Sequence, residues 1–188
     1  MGFIQKNAEA EVKAMLGELG EEFGVAAGEV KKVAQETEFM DDGSAISLSL
    51  TINRQNNDTS AVLDFSDSSL QTLGNCNAPR VIVKSAVIYS LRCMLKSEIP
   101  LNQGCLEPIT IITKRGSLID PREDAAVVGG NVLTSQRITD VILKCFRACA
   151  ASQGCMNNLT FGNERFGYYE TICGGAGAGH GWEGASAV

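Results

Sequence analysis

The sequence predicts an α+β domain in which helices pack on a mostly antiparallel sheet. Three patterns carry that expectation. Ile138, Val141, Ile142, Cys145, Phe146 and Cys149 recur at the spacing of one buried helical face. Ile46, Leu48, Leu50 and Ile52 alternate with Ser47, Ser49 and Thr51, the period-2 signature of a strand with one buried side. Asn77-Ala78-Pro79 then opens a further apolar helical face, Val83, Ala86, Val87, Ser90, Leu91 and Met94, because proline is tolerated in a first helical turn and Asn77 is a natural N-cap.

Taken in order, Val12, Met15, Leu16, Leu19 and Phe23 make an amphipathic helix from Ala8 to about Gly24, with Glu9, Glu11, Lys13, Glu18 and Glu22 on its other side. A second short helix is expected over 27–37. Met40 to Ser44 reads as a turn. The strand at 46–52 and the strand Ala61 to Phe65, joined by the polar segment 54–60, predict an antiparallel hairpin. The Ser-, Asp- and Asn-rich stretch 66–77 is a loop, the helix runs from about Pro79 to Leu95, and 99–108 is a second polar loop. Ile109 to Ile112 is a strand, turned by Lys114-Arg115-Gly116. The helix at about 135–152 follows, and beyond it the chain is glycine-rich.

Hydrophobic residues make up 44% and charged residues 20%, as in ordinary globular proteins, so disorder is excluded. A net charge of -6, with no basic run longer than Lys31-Lys32, argues against nucleic acid and anionic membrane surfaces as partners. The cysteine count, 7, is odd, and Cys145 and Cys149 fall on the apolar helical face, which predicts small core residues in a reducing compartment. No CxxC occurs and His180 is the only histidine, so no metal site is expected in this chain. The start MGFIQKNAEAE has neither the apolar core nor the cleavage site of a signal peptide, and no apolar run is long enough to span a membrane, so the cytosol is the expected location. On that reading the sequons at Asn57 and Asn158 are chance matches. Gly179 to Gly184 fits GxGxxG, but no strand leads in and too little chain follows for a dinucleotide fold.

The stretch around which these elements are organised runs from Ala126 to Gly175. It breaks at Gly129-Gly130-Asn131, and Asn131, Thr134 and Ser135 can accept from free amides at the helix start. Such a mouth can hold an anion or a carbonyl; equally, the glycines can make only the turn and the polar residues only the cap. Carboxamides cluster at 75–77, 102–103, 131 with 136, and 157–158, each beside an element expected to be buried. They stitch loops to one another or bind a polar ligand, since a desolvated amide needs a partner.

DDGS at 41–44, LDFSDSS at 63–69, GNCNAPR at 74–80, PLNQGCLEPI at 100–109, AVVGGNVLTSQRITDVIL at 126–143, ASQGCMNNLTFGN at 151–163 and YYETICGGAGAGHGWEGASAV at 168–188 give the chain a family likeness. Together they resemble the hydantoinase B part of the 5-oxoprolinase family, in order and over essentially the whole chain. Asp67 and Cys76 depart from the usual pattern, which bears on the conformation of the loop at 66–78. The resemblance implies that residues 1–188 are one partial hydantoinase B-type domain with no internal boundary, a fragment or truncated product of a larger enzyme.

The activity it implies is ATP-dependent opening of 5-oxoproline to glutamate. ATP and Mg would be bound by a hydantoinase A-type ATPase half and not by this chain, and the full-length enzyme would be a homodimer. In that chemistry the lactam oxygen is phosphorylated, water attacks the activated carbon, and the tetrahedral species needs hydrogen-bond donors. The matching strings point to Asn131, Ser135, Gln136, Asn157 and Asn158 as lactam-side groups, with Gly129, Gly130, Gly174 and Gly175 allowing close approach and Glu170 as candidate base, or else a cap or arginine partner. Asn131, Asn157, Asn158 and Gly174-Gly175 are expected in one pocket. The competing expectation is a non-catalytic interaction module or remnant.

Overall fold

The computed structural model describes residues 2–56, 58–100 and 102–187. The sequon asparagine at 57, Leu101 of the second polar loop and Val188 of the last matching string lie outside the described residues. Helix α1 (Gly2–Glu22) is followed by strands β1 (Val30–Phe39), β2 (Ala45–Asn53) and β3 (Ser60–Asp64). Helix α2 (Arg80–Met94), strand β4 (Ile109–Ile112) and helix α3 (Thr134–Cys145) come next. The two hairpins β5 (Asn158–Asn163) with β6 (Phe166–Thr171), and β7 (Gly175–Ala176) with β8 (Ala185–Ser186), end the chain.

The sheet order is β1-β2-β3-β4, antiparallel except for the parallel pair β3 and β4. A parallel neighbour requires a crossover, and α2 supplies it. Because directly paired residues share a face, Leu50 lies with Leu63 and Ile111, and Ile52 with Ala61 and Ile109. Ile46, Leu48, Leu50, Ala61 and Leu63 are buried in one core with Val12 and Leu16 of α1, Val83, Val87 and Leu91 of α2, and Ile138, Val141 and Ile142 of α3. The α+β expectation and the antiparallel β2–β3 hairpin are therefore what the chain builds. Among the described residues no helix is long and apolar enough to cross a membrane.

The helix expected over 27–37 is instead the edge strand β1. Lys31, Lys32, Ala34, Gln35 and Glu36 are good helix formers, but pairing with β2 overrides that preference. Gly24 and Gly28, both at positive φ, turn the chain back, and Gly28 N–H and Glu29 O hydrogen-bond to Arg54 at the end of β2, at 2.7 and 2.9 Å. Charged residues and a register shift between Lys32 and Ala34 keep this edge from pairing further.

Helix α3 also ends earlier than its apolar spacing suggests, at Cys145 and not near 152. Arg147 N–H bonds Lys144 O at 3.0 Å and Ala148 N–H bonds Leu143 O at 2.9 Å, with Arg147 at φ 54. That is a Schellman ending with arginine where glycine is usual. Cys149 therefore leaves the buried face and is exposed, whereas Cys145 is fully buried. Asn77 is not the cap of α2: Pro79 occupies that position and no side chain caps it.

Burial pushes the Cys145 thiol up to about 12. A raised thiol stays protonated near neutral pH, and the thiolate is the nucleophile. Brief alkylation of the native protein is expected to label the exposed Cys93, Cys149 and Cys173 while sparing the buried Cys105 and Cys145. Peptide mapping that found Cys145 modified as fast as Cys149 would contradict this packing of α3.

Two clefts flanking the start of helix α3

The loop at 74–78 and the segment leading into α3 are bound to one another. Gly129 N–H donates to Asn75 O at 2.8 Å, and the Thr134 hydroxyl donates to Cys76 O. At Gly130 a methyl group would meet Asn77 O at 2.5 Å and Ala78 Cα at 3.0 Å, so the approach requires glycine. Asn77, fully buried, accepts from Thr72 N–H at 2.9 Å and donates to the carbonyls of Thr72, Gly74 and Ala126 at 2.9, 2.9 and 3.0 Å. Its carboxamide stitches loops together. The start of α3 is likewise no open polar mouth, because Leu133 is the N-cap without a side-chain cap bond and the Ser135 hydroxyl donates back to Asn131 O.

The first turns of α3 separate two clefts. Between α2 and α3 lies one of about 410 Å³, walled by Ile82, Ser85 and Tyr89 on one side and Asn131, Ser135, Gln136 and Thr139 on the other, with Asp140 and Ser152 beside them. Hydroxyls and carboxamides there stand over an apolar floor and can both donate and accept. Across α3 are two adjoining lobes that share Leu133 and Cys155. One, about 200 Å³, is lined by Asp41, Arg137, Gln153 and Gly154; the other, about 250 Å³, by Asn75, Cys76, Gly129, Val132 and Asn158. Stretches far apart in sequence meet in this glycine-rich cleft.

The wall between the clefts is an ion-pair network. Arg137 lies 3.0 Å from Asp140 and also pairs with Glu38, while Asp140 accepts from Ser152 N–H at 2.9 Å and from its hydroxyl at 3.1 Å. Gly154, at φ +78, lies against the arginine, where a methyl group would meet Nη1 at 2.7 Å. Glu36 and Glu38 share the helix-facing side of β1 with Ala34, through pairing with Leu48, Ile46 and Leu50, so α3 is held to the sheet edge by Arg137 and Lys144 through charge. Burial first, and then the carboxylates of Asp42 and Asp41, push the Cys76 thiol up.

The expected single pocket is thus divided by α3. Asn131, Ser135 and Gln136 line the α2–α3 cleft, whereas Gly129 and Asn158 line the glycine-rich cleft. Asn157 borders the latter through its N–H bond to Cys155 Sγ at 2.9 Å, and Gly174 lies against the Gln153 carboxamide. Gly130 is packed against Asn77 and Ala78, and Gly175 belongs to β7. Glu170 lines neither cleft: it sits on the exposed β5–β6 hairpin, where it accepts from the Tyr168 hydroxyl and so raises the Tyr168 pKa. Sequence reasoning missed Arg137, Asp140, Ser152 and Gln153. An arginine and an aspartate three apart, flanking the stripe residues Ile138 and Val141, are the signal that charge lies inward there.

The GxGxxG stretch is a turn. Gly179 and Trp182 exchange backbone hydrogen bonds at 3.3 and 3.2 Å, which makes the GxGxxG stretch a tight turn between β7 and β8, and the Trp182 ring occupies the space beside Gly179. Among the described residues no group of three or more His, Cys, Asp or Glu could hold a metal ion.

Residues 1–188 match the hydantoinase B/oxoprolinase family. The 5-oxoprolinase of Dictyostelium discoideum is 56% identical over 190 residues, which takes in 100% of this chain and 14% of that protein. 5-oxoprolinase 1 of Arabidopsis thaliana is 50% identical over 192 residues, again 100% of this chain and 15% of the relative. This chain therefore spans only 14 to 15% of the length of these relatives. Among solved structures, the ATP-dependent caprolactamase from Pseudomonas jessenii superposes with a TM-score of 0.64 at 16% identity, over 97% of this chain and 33% of that one, a likeness of fold.

Proposed function

Because the chain belongs to the hydantoinase B/oxoprolinase family, we propose that it is one portion of a cytosolic, ATP-dependent 5-oxoprolinase and supplies groups that hold the lactam. The observation that carries the reading is identity of 56% and 50% over the whole chain to proteins named 5-oxoprolinase. What the chain itself offers is binding and orientation. Carboxamides and hydroxyls flanking α3 can fix a small cyclic amide, and Gly129, which lines the glycine-rich cleft, lets backbone approach it there. Asn131, Ser135 and Gln136 offer groups to the α2–α3 cleft, and Asn157 and Asn158 border the glycine-rich cleft; the set in whichever cleft seats the lactam would face the developing oxyanion. A role for Glu170 as base would need the hairpin to be covered by further polypeptide that brings it to the lactam. ATP and Mg would be held by a hydantoinase A-type half, in an assembly that dimerises.

The chain alone, mixed with ATP, magnesium and 5-oxoproline, is expected to release neither phosphate nor glutamate. Restored to a complete enzyme with the ATPase half and the remaining hydantoinase B section, it is expected to yield both in equal amounts. Glutamate absent from the complete assembly would sink the reading, and both products from the chain alone would overturn the division of labour. One observation favours an interaction module instead: Leu159, Phe161, Phe166 and Tyr168 share one face of the β5–β6 hairpin and are all exposed. Packing of that face on the rest of a larger enzyme reconciles the two readings.

A further inference from the structure

Starting from the reading above, in which this chain is one portion of a larger enzyme, we propose that the β5–β6 hairpin is a docking arm seated on the remaining polypeptide of that enzyme. The remainder covers Leu159, Phe161, Phe166 and Tyr168 with an apolar surface and meets Glu170 with a basic side chain. Residues 159–173 are all exposed, so the hairpin stands clear of the core built by the helices and the four-stranded sheet. A lone two-stranded hairpin is marginal in water and needs a further layer to pack on.

Its residues are sorted for such a layer. Directly paired residues share a face, so Leu159 and Glu170, Phe161 and Tyr168, and Asn163 and Phe166 lie on one side. The other side carries Asn158, Thr160, Gly162, Gly167, Tyr169 and Thr171, and there Tyr169 ties its hydroxyl to the Asn158 carboxamide at 2.6 Å. Leu159, Phe161, Phe166 and Tyr168 are 42 to 53% exposed. Their rings are already assembled into a patch, with the Phe161 centroid 4.9 Å from that of Tyr168 and 6.3 Å from that of Phe166. Apolar side chains gathered on one face of an arm mark the side that is to be covered. Glu170 lies on that side and accepts from the Tyr168 hydroxyl. A carboxylate taken out of water there also needs a cation, and this face of the hairpin carries none, so the covering surface has to bring one.

The occupant follows from how much polypeptide lies outside this chain. The match to the Dictyostelium protein includes the whole hairpin yet takes in 14% of that protein, and the larger part of the caprolactamase chain lies outside the 33% that superposes. In a protein of that length the remainder is tethered to the hairpin, and so reaches its apolar face at an effective concentration that a separate copy does not match.

The test is hydroxyl-radical footprinting of this chain alone and of the complete enzyme that contains it, read by mass spectrometry. In the complete enzyme Phe161, Phe166 and Tyr168 are expected to be oxidised about tenfold less, because an interface core is packed like a protein interior. Glu170→Lys, which would oppose the cation, is expected to return the rings to the reactivity they have in the chain alone. The comparison of the two parent samples needs no variant, so it decides even if that substitution does not fold. Rings equally reactive in both samples overturn the proposal, and protection that persists in Glu170→Lys overturns the basic contact. Protection that appears in the chain alone as its concentration is raised overturns the proposal too, making a second copy the occupant. Footprinting does not depend on activity: protected rings in an assembly that opens no 5-oxoproline support the arm and sink the 5-oxoprolinase reading, whereas an active assembly with unprotected rings sinks the arm alone.

Discussion

Asp140→Ala is expected to destabilise the fold by about 3–5 kcal/mol, the usual range for removing one partner of a buried ion pair. The Asp140 side chain is 3% exposed and Arg137 18%. Without Asp140, Arg137 keeps Glu38 alone, while Ser152 loses the acceptor for both its N–H and its hydroxyl. In a chain of this size such a loss lowers Tm by roughly 10 °C. Because Asp140 and Ser152 border one cleft and Arg137 and Gly154 the other, loss of the network should loosen both, seen as faster amide exchange at Ser152 and Gly154. Asp140→Asn can still accept from Ser152 and is expected to cost less. A melting temperature within about 2 °C of the parent for Asp140→Ala would show that the network contributes little.

The same network explains what the sequence conceals. Helices α2 and α3 and strands β2, β3 and β4 follow from apolar periodicity because each buries hydrocarbon against the core. Strand β1 does not, since its helix-facing side carries Glu36 and Glu38, whose partners Arg137 and Lys144 are about a hundred residues away in sequence. A face satisfied by charge has no apolar alternation to read. The end of α3 was hidden for a related reason: the left-handed turn falls on Arg147, whose ring contact with Phe23 at 5.0 Å is tertiary, so no glycine marks it. The β5–β6 hairpin is legible in principle, because Phe161, Tyr168 and their neighbours alternate, although Gly162 and Gly167 interrupt the pattern.

The candidate site was legible as a set of strings and not as a geometry. Spacing placed Asn131 ahead of the helix and Ser135 and Gln136 at its start, and there they are found, Asn131 closing the Val128–Gly130 turn and the other two in the first turn of α3. Periodicity alone does not tell which flank of that helix each later loop will meet. That is decided by backbone bonds such as Met156 N–H to Val132 O at 3.0 Å and Gly129 N–H to Asn75 O at 2.8 Å, which bring 155–158 and 74–76 to the flank away from α2.

Asn77→Ala is expected to cost about 3 kcal/mol and to unpin the loop at 72–77 from the segment that leads into α3. Asn77 is fully buried, and its carboxamide holds Thr72 N–H and three carbonyl oxygens that have to find other partners once it is gone. The Ala126 carbonyl matters most, because this bond joins the loop at 72–77 to the segment that becomes the Val128–Gly130 turn and then α3. Its loss should also weaken the Gly129 to Asn75 bond beside it, so damage spreads from stability to the shape of the glycine-rich cleft. Asn77→Asp separates the two contributions: a carboxylate can still accept from Thr72 N–H but cannot donate to the carbonyls, and it adds a buried charge, so it should be no better tolerated than alanine. Urea titration together with amide exchange checks the argument. The midpoint should fall for both variants, and exchange should accelerate at Thr72 and through 126–131 well before β2 and β3 are affected. An unchanged midpoint with Thr72 still protected would mean that the loop is held by its backbone bonds alone.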